Sequence, residues 1–199
     1  MGSPTVKTNS PLPSSTMVNH QVRPTWHEYF LMLAKLAATR STCLSFPVGA
    51  VIVRDRQVLA TGYNGPPSKS AHCTELGYCY EGLSQCSASK VLPSRAVHAE
   101  ANAIAQAAKN GIPTAGASIY VTLEPCLSCL KLIISAGIGE VFYETPYEGA
   151  SSQYIRDLFT ADDLVVLNQI PLREETAALA ASFILHPLSV EDRLRRLQS

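Results

Sequence analysis

Apolar residues recur at helical spacing early in the chain and then give way to the short runs typical of strands. From Thr25 to Arg40 they repeat every three or four positions, which predicts an amphipathic helix. Val48 to Val53 is a β-branched run of the kind found in buried strands, and Val58 to Tyr63 follows the polar stretch Arg54 to Gln57. The pattern therefore predicts a helix followed by a β-hairpin.

The second half of the chain alternates between helical and strand patterns. The predicted helices are Ala96 to Lys109, Cys126 to Ala136, Ser152 to Phe159 and Glu174 to Leu185. The predicted strands are Ala117 to Leu123, Glu140 to Tyr143 and Leu164 to Leu167. Strands that alternate with helices are joined by crossovers and pair in parallel. Since the early hairpin is antiparallel, the pattern predicts an α/β protein with a mixed sheet.

The ends of the chain and one internal segment lack this periodicity. Residues 1–22 are rich in Pro, Ser, Thr and Asn and lack a signal-peptide apolar core, so a disordered tail is predicted. A single domain is predicted over 23–185, followed by a C-terminal tail over 186–199. The segment Ser68 to Arg95 holds three cysteines and His72. Loops of that length are uncommon unless a function or a metal organises them.

Composition narrows the classes of function. The chain has 199 residues, is 46% hydrophobic and 16% charged, and carries a formal net charge of zero. It therefore shows no sign of a basic surface for a nucleic acid polymer or a membrane, and a small-molecule substrate is favoured. No apolar run approaches the roughly 20 residues of a membrane span. A cytoplasmic location is expected, where the six cysteines more often bind metal or react than form disulfides.

Two short motifs supply the candidate chemistry. His98 and Glu100 form an H-x-E motif, and Pro125, Cys126 and Cys129 form P-C-x-x-C, the combination found in zinc nucleobase deaminases. Two cysteines three positions apart lie on one face of a helical turn. A helix N-terminus also favours the thiolate form that binds metal.

The motifs together predict a catalytic zinc site. His98, Cys126 and Cys129 would leave one zinc position open for water, as in catalytic rather than structural sites. Glu100 is close enough to transfer protons without having to bind the metal. Separately, the His and Glu could be surface residues, and C-x-x-C could be a redox pair or half of a structural zinc site. Their joint occurrence favours the deaminase interpretation.

Over nearly all of Thr25 to Tyr147 the chain resembles the cytidine/deoxycytidylate deaminase family, and within it the deoxycytidylate (dCMP) deaminases. The segments that carry the resemblance are Ser41–Cys43 with Val48–Val53, Thr61–Pro67, His72–Glu75, Val97–Ile104 and Val141–Tyr147. The resemblance implies a three-layer α/β/α fold with a mixed five-stranded sheet. It also implies zinc-dependent hydrolysis of dCMP to dUMP and ammonia. The enzyme would be a homo-oligomer, often a hexamer, regulated by dCTP and dTTP.

The resemblance also assigns nucleotide contacts. Asn64 and Tyr147 match positions that line the substrate site near sugar and phosphate. Lys109 matches a position near the phosphates of the allosteric nucleotide, although a solvated lysine is also ordinary at a helix end. The chain departs from the pattern at Glu124, where many dCMP deaminases have Ser, and at Pro47, where many have Lys or Arg. If that base holds phosphate in relatives, another residue must do so here.

The remaining cysteines suggest a second, structural zinc of the kind that some dCMP deaminases carry. Cys43 and Cys73 match two of its ligand positions, and Cys86 falls near the position of a third. Cys79 and His72 are alternatives for the fourth ligand. The other interpretation is that these cysteines are buried and bind no metal.

Competing functions involve another base or no catalysis at all. The alternatives are deamination of cytidine, guanine, a tRNA adenosine or a riboflavin precursor, and a non-catalytic competence-associated relative. A tRNA enzyme is expected to show a basic face, and a riboflavin enzyme normally brings a reductase domain. The intact set of His98, Glu100, Cys126 and Cys129 argues against an inactive protein.

Overall fold

The computed structural model describes residues 23–80, 94–147, 157, 159–160 and 164–186. The helices in these residues are α1 (Trp26–Ala38), α2 (Cys73–Leu76), α3 (Ala99–Lys109), α4 (Leu127–Ser135) and α5 (Glu174–Leu185). The strands are β1 (Gly49–Arg54), β2 (Gln57–Tyr63), β3 (Ser118–Leu123), β4 (Glu140–Thr145) and β5 (Val166–Gln169). A compact unit runs from Pro24 to Glu174, and α5 lies almost entirely outside it. The predicted domain boundaries stay a prediction.

The five strands form one mixed sheet in the order β2-β1-β3-β4-β5, as predicted. β1 pairs antiparallel with both β2 and β3. β3, β4 and β5 run parallel to one another; between β3 and β4 the helix α4 returns the chain to the end of the sheet where the strands begin. Val121, in the centre, lies opposite Ala50 on one side and Tyr143 on the other.

Helices cover both faces of the sheet, which gives the expected three layers. Successive side chains of a strand point to opposite faces, and the core divides accordingly. On one face Ile52 and Ile119 pack with Ala103 of α3 and Leu130 of α4. On the other face the neighbouring strand positions, Val51, Val53, Tyr120 and Phe142, pack with Phe30 and Ala34 of α1.

Two strand glycines allow helices to approach the sheet closely. A Cβ at Gly62 would overlap the main-chain carbonyl of Ala99 at the start of α3. A Cβ at Gly49 would overlap the carbonyl of Ala34 in α1. Since neither contact can be relieved by a side-chain movement, glycine at these positions fixes the distance between helix and sheet.

The first helix is fixed at its N-terminus by a capping box and by an ion pair between a buried carboxylate and a half-exposed arginine. Thr25 accepts a hydrogen bond from the main chain of Glu28, and the Glu28 carboxylate accepts one from the main chain of Thr25. Glu28 is buried, and Arg173 binds its carboxylate with two hydrogen bonds of 2.6 and 2.9 Å. The start of α1 is thereby tied to the chain beyond β5.

The predicted elements differ from the observed ones mainly at their boundaries. α3 begins at Ala99 rather than Ala96, because His98 is an extended N-cap with ψ 156°. β5 begins at Val166 rather than Leu164, because its ladder with β4 starts opposite Glu140. The predicted helix Ser152 to Phe159 lies mostly outside the described residues. Within the described residues no helix is long and apolar enough to cross a membrane.

We expect Gly62→Ala to lower the free energy of unfolding by about 1–3 kcal/mol, since the new methyl group must displace the first turn of α3. Gly139→Ala is the control, because a Cβ there meets nothing within 4 Å; its effect should stay within about 0.5 kcal/mol. Urea unfolding of both variants measures the difference. Equal midpoints would show that the close approach at Gly62 is not a constraint.

Candidate metal centre and pocket

His98, Cys126 and Cys129 meet where α3 and α4 begin. His98 is the N-cap of α3, Cys126 is the N-cap of α4, and Cys129 lies in the first turn of α4. The Nδ1 atom of His98 lies 3.5 Å from Sγ of Cys126 and 3.4 Å from Sγ of Cys129. Of all the residues that the structure describes, only these bring three candidate metal ligands together.

The spacing of these atoms fits a tetrahedral zinc ion. Zn–S bonds of about 2.3 Å and Zn–N bonds of about 2.0–2.1 Å at tetrahedral angles place S and N about 3.6 Å apart. The observed separations from Nδ1 of His98 are 3.5 and 3.4 Å. One imidazole and two thiols also form a donor set that zinc prefers. His98, Cys126 and Cys129 would therefore hold the metal.

Local backbone contacts bring the two helix ends together. Val97, just before His98, exchanges two main-chain hydrogen bonds with Gly65. Asn102 in the first turn of α3 donates a 2.8 Å hydrogen bond to the carbonyl of Tyr63 at the end of β2. With the close approach at Gly62, these bonds place the N-terminus of α3 at the edge where β3 ends and α4 begins.

The two thiols have opposite pKa shifts. A hydrogen bond from Cys129 lowers the pKa of Cys126 to about 4, and a hydrogen bond to His98 adds to this effect. The same interaction, together with burial, raises the pKa of Cys129. The hydrogen bond to Cys126 raises the pKa of His98. Near neutral pH one sulfur is already a thiolate, and the other must lose its proton to bind a metal.

Glu100 lies beside this group on the second residue of α3. Its side chain is only 4% exposed, and burial raises its pKa above the ordinary value. His98 and Cys126 both act on it electrostatically. A buried carboxyl group with a raised pKa next to a metal site is suited to accept and return a proton near neutral pH.

A cavity of about 310 Å³ opens onto these residues, within the size range of small-molecule sites. The residues that line it are Cys43, Ser45, Phe46, Val48, Asn64, Ser94, Ala96, His98, Ala99, Glu100, Leu123, Glu124, Cys126 and Tyr147. The structure thus brings the predicted substrate residues Asn64 and Tyr147 into the same pocket as the metal ligands. Cys43, predicted as a second-zinc ligand, also lines this pocket.

Asn64 has a structural task that the sequence did not reveal. It is buried, and its Oδ1 accepts hydrogen bonds from Oγ of Ser41 at 2.6 Å and from the main chain of Val48 at 2.9 Å. Its Nδ2 donates to the carbonyl of Phe46 at 2.7 Å. Asn64 therefore shapes the 41–48 wall of the pocket. Its predicted contact with the substrate would use the second N–H of its Nδ2, which these three bonds leave over.

Unlike His98, Cys126 and Cys129, the described residues predicted to bind a second zinc do not form a cluster of three candidate ligands. His72 contacts Oγ1 of Thr42 through Nδ1 at 3.2 Å. Cys73 and Cys79 are buried, and Cys79 accepts a hydrogen bond from the main chain of Arg95. Cys86 lies outside the described residues, so its place relative to the others stays untested.

Lys109 does not belong to the pocket. It is exposed and ends α3, about 15 Å along the helix axis from the metal ligands at its other end. Its predicted allosteric role stays a prediction.

The family model described as "cytidine and deoxycytidylate deaminase zinc-binding region" matches residues 24–145. ComE operon protein 2 of Bacillus subtilis is 42% identical over 152 residues, which are 76% of this chain and 75% of that protein. The deoxycytidylate deaminase of Mycobacterium phage D29 is 46% identical over 125 residues, 61% of this chain and 95% of the phage protein. Among solved structures, the dCMP deaminase of cyanophage S-TIM5 in complex with dCMP and dUMP aligns with a TM-score of 0.59 and 25% identity. The alignment covers 75% of this chain and 100% of the cyanophage chain.

We expect zinc binding to the chelator-treated protein to release about two protons per ion at pH 8.5, where His98 has lost its own proton. One proton comes from Cys129 and one from the zinc-bound water, whose pKa falls to about 7 at a catalytic zinc site. Cys126, with its pKa near 4, has no proton to lose. Indicator-dye titration measures the release, with the Cys126→Ser, Cys129→Ser double variant subtracted as the control. A release of about three protons at pH 8.5 would contradict the thiolate assignment.

Proposed function

Since the chain belongs to the cytidine and deoxycytidylate deaminase family, a family of zinc-dependent deaminases, we propose that it hydrolyses dCMP to dUMP and ammonia. The observation that carries this proposal is the buried Glu100 carboxyl beside His98, Cys126 and Cys129 on the wall of a cavity of about 310 Å³. Support for dCMP comes from the deoxycytidylate deaminase of phage D29 and from the dCMP and dUMP complex of the cyanophage enzyme.

The proposed mechanism assigns the proton transfers to Glu100. Zinc, when bound to His98, Cys126 and Cys129, lowers the pKa of a water molecule from about 15.7 towards about 7. The Glu100 carboxylate takes the proton of the water that attacks C4, and passes it to N3 of the cytosine ring. Glu100 then takes the remaining proton from the hydroxyl group added at C4 and passes it to the amino group, which leaves as ammonia. Atoms balance, since dCMP and one water give dUMP and one ammonia.

Burial prepares Glu100 for both directions of transfer. Its raised pKa keeps the protonated form accessible near neutral pH, so the same carboxyl can serve as base and as acid. Its rigid position in the first turn of α3 keeps it beside the metal ligands without taking a place among them.

We also propose, from the resemblance, a homo-oligomer, a hexamer by the family pattern, that responds to dCTP and dTTP. The exposed position of Lys109 at the far end of α3 is compatible with a nucleotide site separate from the pocket. A cytoplasmic location stays a prediction.

Glu100→Gln should retain zinc but lower kcat for dCMP by about 10²–10⁴-fold, because the amide cannot transfer the proton. Ammonia release and metal analysis on the same sample measure both quantities. Glu140→Gln, at an exposed carboxylate on β4, is the matched control and should behave as wild type. Wild-type turnover in Glu100→Gln would reject the role of Glu100.

Ammonia release should be fastest with dCMP in a parallel assay of dCMP, dCTP, cytidine and guanine. Each substrate is tested with and without dCTP and dTTP, so the same plate reports regulation. If dCMP is inert while cytidine or guanine reacts, the substrate assignment is wrong. If none reacts although zinc is bound, a non-catalytic role becomes the better interpretation.

A second, structural zinc held by Cys43, Cys73 and Cys86, with Cys79 or His72, is part of the proposal. Metal analysis should then find about two zinc ions per chain, and Cys129→Ser should leave about one. Cys73→Ser should lose the structural ion and keep the catalytic one. A wild-type value of about one ion per chain would rule out the second site.

A further inference from the structure

Glu124 is a second buried carboxylate on the pocket wall, and the mechanism above does not use it. Its side chain is 5% exposed, and it lines the same cavity as Glu100. It directly follows β3 and precedes the metal ligand Cys126 by two residues. A carboxylate is costly to bury unless hydrogen bonds hold it, so its partners indicate why it is there.

The Glu124 carboxylate takes the place of a main-chain acceptor in the hydrogen-bond ladder between β3 and β4. Its main-chain N–H donates to the carbonyl of Thr145 at 2.8 Å, which continues the parallel pairing of β3 with β4. If that ladder continued, the N–H of Tyr147 would donate to the main-chain carbonyl of Glu124. Instead, Oε2 of the Glu124 side chain accepts the Tyr147 N–H at 2.9 Å. The two backbones can therefore separate at the pocket while Tyr147 stays fixed.

Prolines stand beside both ends of this bond. Pro125 follows Glu124 and Pro146 precedes Tyr147, and proline fixes φ at about −65°. Both chains leave the strand geometry here, since β3 ends directly before Glu124 and β4 directly before Pro146. The bond from Tyr147 to Glu124 crosses from the end of one strand to the end of the next, and it is charge-assisted.

Tyr147 is the residue whose position this hydrogen bond fixes. It lines the cavity and is 43% exposed, so burial alone holds it weakly. A side chain that lines a pocket contributes more to binding when it is already in place, because ordering it during binding costs affinity.

We propose that Glu124 is a positioning residue that holds Tyr147 at the pocket and thereby sets the affinity for the substrate. The proposal rests on the proposed function for its kinetic test, and on the Tyr147 hydrogen bond for a second test that needs no substrate. Glu124 acts through Tyr147, so it should affect KM far more than kcat.

Three variants separate positioning from folding. Glu124→Ala removes the acceptor and should raise KM for dCMP about tenfold or more, with kcat changed less than about threefold and zinc content unchanged. Glu124→Gln keeps an acceptor oxygen at the same reach and should restore a KM near that of the wild type. Glu140→Ala is the matched control, since Glu140 accepts a hydrogen bond from Ser118 at the opposite end of the same strand pair.

Hydrogen exchange of the Tyr147 amide tests the anchor directly. Protection should fall in Glu124→Ala and persist in Glu124→Gln and Glu140→Ala. If Glu124→Ala does not fold, Glu124→Asp takes its place; it keeps the charge but lacks the reach, and the same rise in KM is expected.

The outcomes distinguish this inference from the proposed function. A wild-type KM in Glu124→Ala or Glu124→Asp, or a loss of kcat that tracks a loss of zinc, would overturn the positioning role. If the wild type does not deaminate dCMP, the proposed function fails, and the amide exchange still decides whether Glu124 anchors Tyr147. Unchanged protection in Glu124→Ala would end the inference.

Discussion

The close packing of β2 against the first turn of α3 is the constraint on which the site depends. At Gly62 the strand has no Cβ, and the helix backbone occupies the space where one would lie. Asn102 then links the helix to the end of β2. These contacts bring His98 to the edge where α4 starts. A displacement of the helix by one ångström would exceed the tolerance of a tetrahedral zinc site.

The pocket uses its two buried carboxylates in different ways. Glu100 lies on a helix beside the metal ligands, and burial raises its pKa. Glu124 lies where a strand ends, and a main-chain N–H binds it. Both side chains are buried and line the same cavity. Glu100 is suited to proton transfer, whereas Glu124 is suited to holding the wall of the cavity in place. Environment, and not residue type, separates these roles.

Local pattern was sufficient to predict the elements and the grouping of His98, Cys126 and Cys129, and insufficient for the contacts that shape the pocket. Strand and helix periods predicted the mixed sheet, and the spacing of Cys126 and Cys129 predicted that they share one helical turn. The sequence could not show that Asn64 binds the 41–48 segment or that Glu124 accepts from Tyr147, because both bonds join residues about twenty positions apart. It also placed the start of α3 too early, since the helix propensity of Ala96 carries no information about the capping role of His98.

The ion pair between Glu28 and Arg173 bears on how short a working form of this protein can be. Arg173 lies beyond the last strand, yet it binds the buried carboxylate of Glu28 in the first turn of the first helix. A chain cut after β5 would keep every strand together with His98, Cys126 and Cys129, but the buried Glu28 carboxylate would lose the two hydrogen bonds that Arg173 donates. The packed unit therefore extends past the sheet that carries the site, at least as far as Arg173.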